Sequence, residues 1–383
     1  MKYFFVYLIF ITISSCSDSI PQIPIQGSLA GYSIQTTVDS QIARYYLENY
    51  LSGHKTNPIF DAQIDMVHNE NLEFPTRRSL QKISQQYSTD FATLYLTYKT
   101  FEMPINQYLQ RLFAEELLIV KSTPDLTKLT KPPLYSSYIV LMIPGWDYVD
   151  SGEKTGADFT VPRKLLSQIG LENHLVEIPS TGSVEENSEY IAKDILRYSQ
   201  SGRPLLLVGA SSAGPAIADA LGRRLTAEQT RQVKGWLNIV GILKGSPVVD
   251  SFQTWPKNWF LSGFAWFQGW KMENIQSMSA QNSQARFKQI HIPAHIVTVN
   301  YTGFPLSGHI SERAKTGYNI LYSQGPNDGF TLIVDALLPH STTIVSIGLD
   351  HFINFDPEIN LKTVALAQTI IKYIAIQSSE KKL

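Results

Sequence analysis

Two textures of apolar residues divide the chain. Over Ser40–Leu51, Arg78–Tyr98 and Ile105–Val120, apolar positions recur every three or four residues, which predicts amphipathic helices. From Tyr135 onward the apolar residues come in short unbroken runs separated by helical stretches. Ser137–Ile143, His174–Ile178, Leu205–Gly209, Gly235–Val240, Ala294–Asn300 and Thr342–Ile347 read as strands, with helices over Val161–Ile169 and Val184–Gln200. Strands that lack alternation are buried on both faces. That is the pattern of a mostly parallel, doubly wound α/β sheet covered by helices, whose chemistry gathers beyond the carboxyl ends of the strands.

The start of the chain has a different character. Tyr3 to Ile13 is apolar except for Thr12, too short to span a bilayer at about 20 residues and shaped like the core of a signal peptide. It ends in Ile13-Ser14-Ser15-Cys16, and Cys16 is the only cysteine, so no intramolecular disulfide can form. This segment resembles a bacterial lipobox. The resemblance implies cleavage after residue 15 and lipid attachment at Cys16. Ser17 after it implies the outer membrane, with the protein in the bacterial cell envelope facing the periplasm or the surface. Residues 16–31 then read as a polar, proline-containing tether, and 32–133 as a helical N-terminal region with a linker from Ser122 to Pro133. Residues 134–383 hold the α/β domain. The tyrosines of the N-terminal region, Tyr45, Tyr46, Tyr50, Tyr95 and Tyr98, read as core.

Charge and composition narrow the function classes. Lys and Arg total 32 against 33 Asp and Glu, which gives no basic face for nucleic acid. With 43% hydrophobic residues the chain can bury a sizeable core.

The candidate chemistry begins at Leu205–Gly214, where an apolar strand runs into Gly209-Ala-Ser211-Ser-Ala213-Gly. A nucleophile elbow needs small residues two before and two after its serine, because the chain turns there from strand to helix in a strained conformation. Gly209 and Ala213 bracket Ser211 in this way. A phosphate loop would need Lys and Ser/Thr where Pro215-Ala216 stands. A serine nucleophile requires a base and an orienting acid, in the order Ser, Asp, His. Of the histidines after Ser211, His351 follows the last strand, whereas His291 and His295 stand before a strand and His309 and His340 lie in polar loops. Asp328 in Gly325-Pro-Asn-Asp-Gly329 is the candidate acid. Asp335 falls in an apolar stretch, and Asp350 adjoins His351 too closely to reach its Nδ1. Backbone N–H groups of Ser212 and of Trp146, in Pro144-Gly145-Trp146, are the candidate oxyanion donors.

These segments together resemble the bacterial lipase branch of the α/β-hydrolase family over roughly Tyr135–Ile371. The resemblance rests on Ile143-Pro-Gly-Trp146, Val208-Gly-Ala-Ser-Ser-Ala-Gly214, Gly245-Ser-Pro-Val-Val-Asp250, and Asn327-Asp-Gly329 followed by Asp350-His351. It implies an α/β-hydrolase fold, with Ser211 as nucleophile, Asp328 as acid and His351 as base. Pro144 replaces the family's usual histidine, and Ala213 stands where glycine is usual. Ile353 occupies the position of an aspartate that binds calcium in some such lipases, so no metal and no cofactor are expected. Residues 251–290, carrying Trp255, Trp259, Phe260, Phe264, Trp266, Phe267 and Trp270, read as a helical cap or lid insertion over an acyl pocket.

The expectation is a lipid-anchored serine hydrolase of acyl or lipid esters, meeting a membrane through its N-terminus. The same residues suit a polyester depolymerase, an acyltransferase or a peptidase. A non-catalytic, partner-binding lipoprotein is the alternative from another class.

Overall fold

The computed structural model describes residues 20–70, 73–129, 133–252 and 268–380. It begins with a hairpin where a tether was expected. β1 (Ile23–Leu29) pairs antiparallel with β2 (Tyr32–Val38), joined by Ala30 and Gly31 with φ of +51° and +85°. A two-residue turn with both residues left-handed matches the twist of the strands it connects. The strands alternate as the pleat requires, burying Ile25, Leu29, Ile34 and Val38. Helix α1 (Gln41–Glu48) lies across them at Gly27, where a Cβ would stand 2.8 Å from the Leu47 side chain. The expected tether thus ends before β1. Its alternating apolar residues, broken by Pro24, form an edge strand rather than open chain.

Four helices follow: α2 (Pro58–Glu70), α3 (Arg77–Gln86), α4 (Thr89–Glu102) and α5 (Pro104–Lys121). The stretch expected to be one helix from Arg78 divides at Ser88, whose hydroxyl caps α4 by accepting from Phe91 N–H at 3.0 Å. The main sheet comprises β3 (Ile139–Ile143), β4 (Glu172–Leu175), β5 (Leu205–Ala210), β6 (Val233–Ile239), β7 (Val297–Phe304) and β8 (Thr342–Ile347). Its order is β4-β3-β5-β6-β7-β8 and every pairing is parallel. After β4 the strand order reverses and β5 returns beside β3, so the switch point lies at the carboxyl ends of β3 and β5.

The pleat divides the domain core in two. Val140, Met142, Leu206, Val208 and Leu237 face α6 (Thr160–Gln168) and the C-terminal helix. Ile139, Leu141, Leu205, Leu207 and Trp236 share a cluster with α7 (Val184–Ser199) and α8 (Ala213–Asp219). The chain then passes through α9 (Ala280–Phe287) and α10 (Lys315–Leu321) and closes with α11 (Ile359–Glu380). This is the doubly wound α/β architecture expected from the sequence, with the helical region added at the N-terminus.

That N-terminal region is built into the sheet domain. β8 is an edge strand, and edges leave backbone groups unpaired. Two α5 side chains cover it: Thr343 N–H donates to Asn106 at 2.8 Å, and Val345 N–H donates to Gln110 at 2.9 Å while Gln110 donates back to the Val345 carbonyl at 3.2 Å. Phe304, Ile333 and Val345 join Phe91, Leu94 and Tyr95 in one core cluster. Deeper in this seam, Asp39 and Asp90 exchange backbone bonds, Asp39 N–H donating to Asp90 at 2.7 Å and Asp90 N–H to Asp39 at 3.0 Å. Ser307 N–H and Oγ both donate to Asp90, and Tyr322 Oη donates to Asp39 at 2.7 Å.

Burial, and then the Asp39 charge, raise the Asp90 carboxyl above its ordinary value of 3.8. A raised acid binds more protons in the folded state than in the unfolded one. Its contribution to stability is complete below the ordinary value and is lost as pH rises through the raised one. Thermal melts from about pH 4 to neutrality should therefore show the wild type losing stability with rising pH more steeply than Asp90→Asn. Parallel slopes for the two would contradict this reading of the seam.

Candidate active site

Ser211 stands between β5 and α8 with a φ of +54°, a left-handed conformation that side chains other than glycine's rarely adopt. Three main-chain bonds hold it. Its N–H donates to the Ile239 carbonyl at 3.0 Å, and its carbonyl accepts from Gly214 at 3.1 Å and Ile242 at 3.2 Å. The turn leaves no room for a side chain at position 209, where a Cβ would run into Ile217 and lie 3.2 Å from Ala213. This is the tight turn expected of Gly209 and Ala213.

The geometry brings Ser211, His351 and Asp328 together. Ser211 Oγ lies 2.9 Å from His351 Nε2, and His351 Nδ1 lies 2.8 Å from Asp328 Oδ2. A carboxylate only accepts, so Nδ1 carries the ring proton and Nε2 is left to accept from the serine. Asp328 is fully buried, and its Oδ1 accepts from the N–H groups of Phe330 at 2.9 Å and Thr331 at 2.8 Å. His351 N–H donates to the Asp328 carbonyl at 2.9 Å, tying the two loops by main chain as well. Gly245-Ser246 carries the resemblance motif and braces the acid loop. Ser246 Oγ donates to the Phe330 carbonyl, and Thr331 Oγ1 donates to the Gly245 carbonyl at 2.8 Å.

The other candidate acids and bases are engaged elsewhere. Asp335 pairs with Arg77 at 3.0 Å, and Asp350 accepts from Ser311 N–H at 2.8 Å and Phe352 N–H at 2.9 Å. His309 sits beneath Gly348, and burial pushes its imidazole down to about 4. His295 lies 3.0 Å from the Thr230 carbonyl.

The turn after β3 passes directly against the elbow. A Cβ at Gly145 would lie 3.6 Å from the Ala210 carbonyl and 3.9 Å from Ser211 Cβ. Gly145 N–H donates to Ala157 at 3.1 Å and Asp147 N–H donates to Ser180 at 2.7 Å, which fixes the peptide on either side of Trp146. Burial raises the carboxyl of Asp147, which accepts from Ser151 Oγ at 2.7 Å. Among the described residues, the N–H groups of Trp146 and Ser212 have no protein acceptor.

A cavity of about 440 Å³ opens at Ser211 and His351, within the usual size of small-molecule sites. Phe330 stacks on the His351 ring at a centroid distance of 4.8 Å, and Trp270 meets Trp146 edge to face at 5.8 Å. Phe330 was not singled out from the sequence, because an aromatic in a loop carries no local signal. The bracing of Asp328 did carry one, since an aspartate in a turn bonds amides two and three residues on. Of the expected cap, residues 253–267, including Trp255 to Phe267, lie outside the described residues, as does Cys16.

No family model matches the sequence, and no curated protein matches it. Solved structures similar to this chain include a metagenomic carboxyl esterase, at 15% identity and a TM-score of 0.47, covering 65% of this chain and 77% of that one. The mature form of a lipase from Bacillus licheniformis is similar at 17% identity and a TM-score of 0.48, covering 64% and 94%. An esterase B from Lactobacillus rhamnosis follows at 12% identity and a TM-score of 0.39, covering 73% and 99%.

Proposed function

We propose that this chain is a serine hydrolase of carboxylic esters that works through an acyl-enzyme. The observation that carries the reading is the left-handed Ser211 with His351 Nε2 at 2.9 Å, itself held by a buried Asp328 at 2.8 Å. Ser211 Oγ attacks the ester carbonyl carbon while His351 takes its proton. The developing oxyanion is held by the N–H groups of Trp146 and Ser212. Collapse breaks the bond to the alcohol oxygen, which receives the proton from His351 and leaves. Water then loses a proton to His351 and attacks the acyl carbon, and collapse of that intermediate returns the proton to Ser211 and frees the acid. Asp328 keeps the imidazole in the tautomer both steps need. No cofactor takes part in this scheme.

Nitrophenyl-ester turnover tests this directly. Ser211→Ala should lose on the order of 10⁴–10⁶ in kcat, and Asp328→Asn about 10⁴, both with melting temperatures near that of the wild type. A wild type inert toward every ester, or a Ser211→Ala variant with full turnover, overturns the proposal.

The same proposal puts the mature chain in the bacterial cell envelope, anchored in the outer membrane by lipid on Cys16. Several acyl chains make such an anchor stable, since each buried CH₂ contributes only about 0.8 kcal/mol. In membrane fractionation, Cys16→Ala should move the protein to the soluble fraction. Retention in the membrane fraction would contradict lipid anchoring.

A further inference from the structure

Phe330 is a large apolar side chain that the core does not take up. It is 37% exposed and lines the cavity that opens at Ser211. The loop around it is built to hold it there. Gly329 before it has a φ of +92°, and a Cβ at that glycine would stand 2.6 Å from Ala314 Cβ, so the backbone takes a direction that suits glycine. Phe330 N–H donates to Asp328 Oδ1 at 2.9 Å, and its carbonyl accepts from Ser246 Oγ. These bonds fix a ring laid on the face of the His351 imidazole, with centroids 4.8 Å apart and planes 23° apart. Phe352 meets both rings edge to face, its centroid 6.0 Å from each.

The stacking bears on the reaction because the imidazole changes charge during it. At rest Nδ1 carries the proton and the ring is neutral. When Ser211 Oγ bonds to the ester carbon, its proton moves to Nε2 and the ring becomes an imidazolium. That proton then passes to the departing alcohol oxygen. In deacylation a proton from water takes the same route and ends on Ser211. An aromatic face is the negative side of the ring quadrupole and attracts a cation within about 6 Å of its centroid, more strongly where water is excluded. His351 is only 8% exposed. The attraction is thus strong while the imidazolium exists and weak when the ring is neutral, and only such a difference accelerates a step.

We infer that Phe330 acts through His351 as a positioning residue: its ring face stabilises the imidazolium from the side, as Asp328 stabilises it from behind Nδ1. The inference rests on the hydrolase reading above. Other charged and titratable groups around the imidazole are held independently of the Phe330 ring. Asp328 Oδ2 lies 2.8 Å from Nδ1, and Asp350 turns its carboxylate to the N–H groups of Ser311 and Phe352. His309 lies beneath Gly348, where burial holds its imidazole down to about 4. The Arg313 guanidinium lies 3.9 Å over the Phe355 ring, one ring beyond Phe352. A change in the electron density of the Phe330 ring leaves all four in place.

Progressively fluorinated phenylalanines placed at position 330 test it, because fluorine draws electron density off the ring face and leaves the apolar wall nearly unchanged. With acetyl and butyryl nitrophenyl esters, kcat should fall stepwise as fluorines are added, by about 2- to 30-fold in all, with KM little changed. The acid limb of kcat/KM, which reports the base of the free enzyme, should move to lower pH in the same order. Phe330→Leu, which removes the ring and keeps an apolar side chain, should lose kcat by a similar factor. A fluorinated series that keeps the wild-type kcat and acid limb, or a loss confined to KM, overturns the inference and leaves the hydrolase reading intact. A wild type inert toward both esters overturns the hydrolase reading, and the inference falls with it.

Discussion

A serine at a φ of +54° stores backbone strain of about 1–3 kcal/mol, which the surrounding structure must offset. Here the offset comes from β6 and from the turn itself, through the Ile239, Ile242 and Gly214 bonds to the Ser211 backbone. The conformation aims Oγ away from the strand axis, above the sheet, where His351 from the end of β8 can meet it. Everything else at the site follows from that direction. The β3 turn passes beside the elbow, with Gly145 next to Ala210 and Ser211. The acid loop must bring Asp328 behind the imidazole, which requires the Gly245-Ser246 brace.

The sheet is used differently on its two faces. One face is packed shut by α7 and α8, with Trp236 and the Ile and Leu residues of β3 and β5 filling the space. The other packs against α6 and α11 and borders the cavity that opens at Ser211. The N-terminal region closes the remaining edge. α5 packs along β8 and α11, covers the free β8 amides with Asn106 and Gln110, and thereby holds the strand that leads to His351.

What the sequence made legible was what is local. The elbow was readable because a left-handed turn constrains the residues at fixed offsets from Ser211. His351 and Asp328 were readable because the sheet fixes their order and places them after strands. The hairpin was missed because Pro24 and Gly27 interrupt the first strand, and the role of Gly27 depends on Leu47 packing over it. Helix α2 was missed for want of a strong apolar stripe, and the break at Ser88 because no Gly or Pro marks it.

The most direct test of the central claim is covalent labelling of the intact protein with a fluorophosphonate, followed by mass spectrometry of its peptides. Ser211 as an activated nucleophile predicts one modified residue, Ser211, and no labelling once His351 is replaced by Ala. Labelling at Ser212 or another serine, or no labelling of the folded wild type, would contradict it.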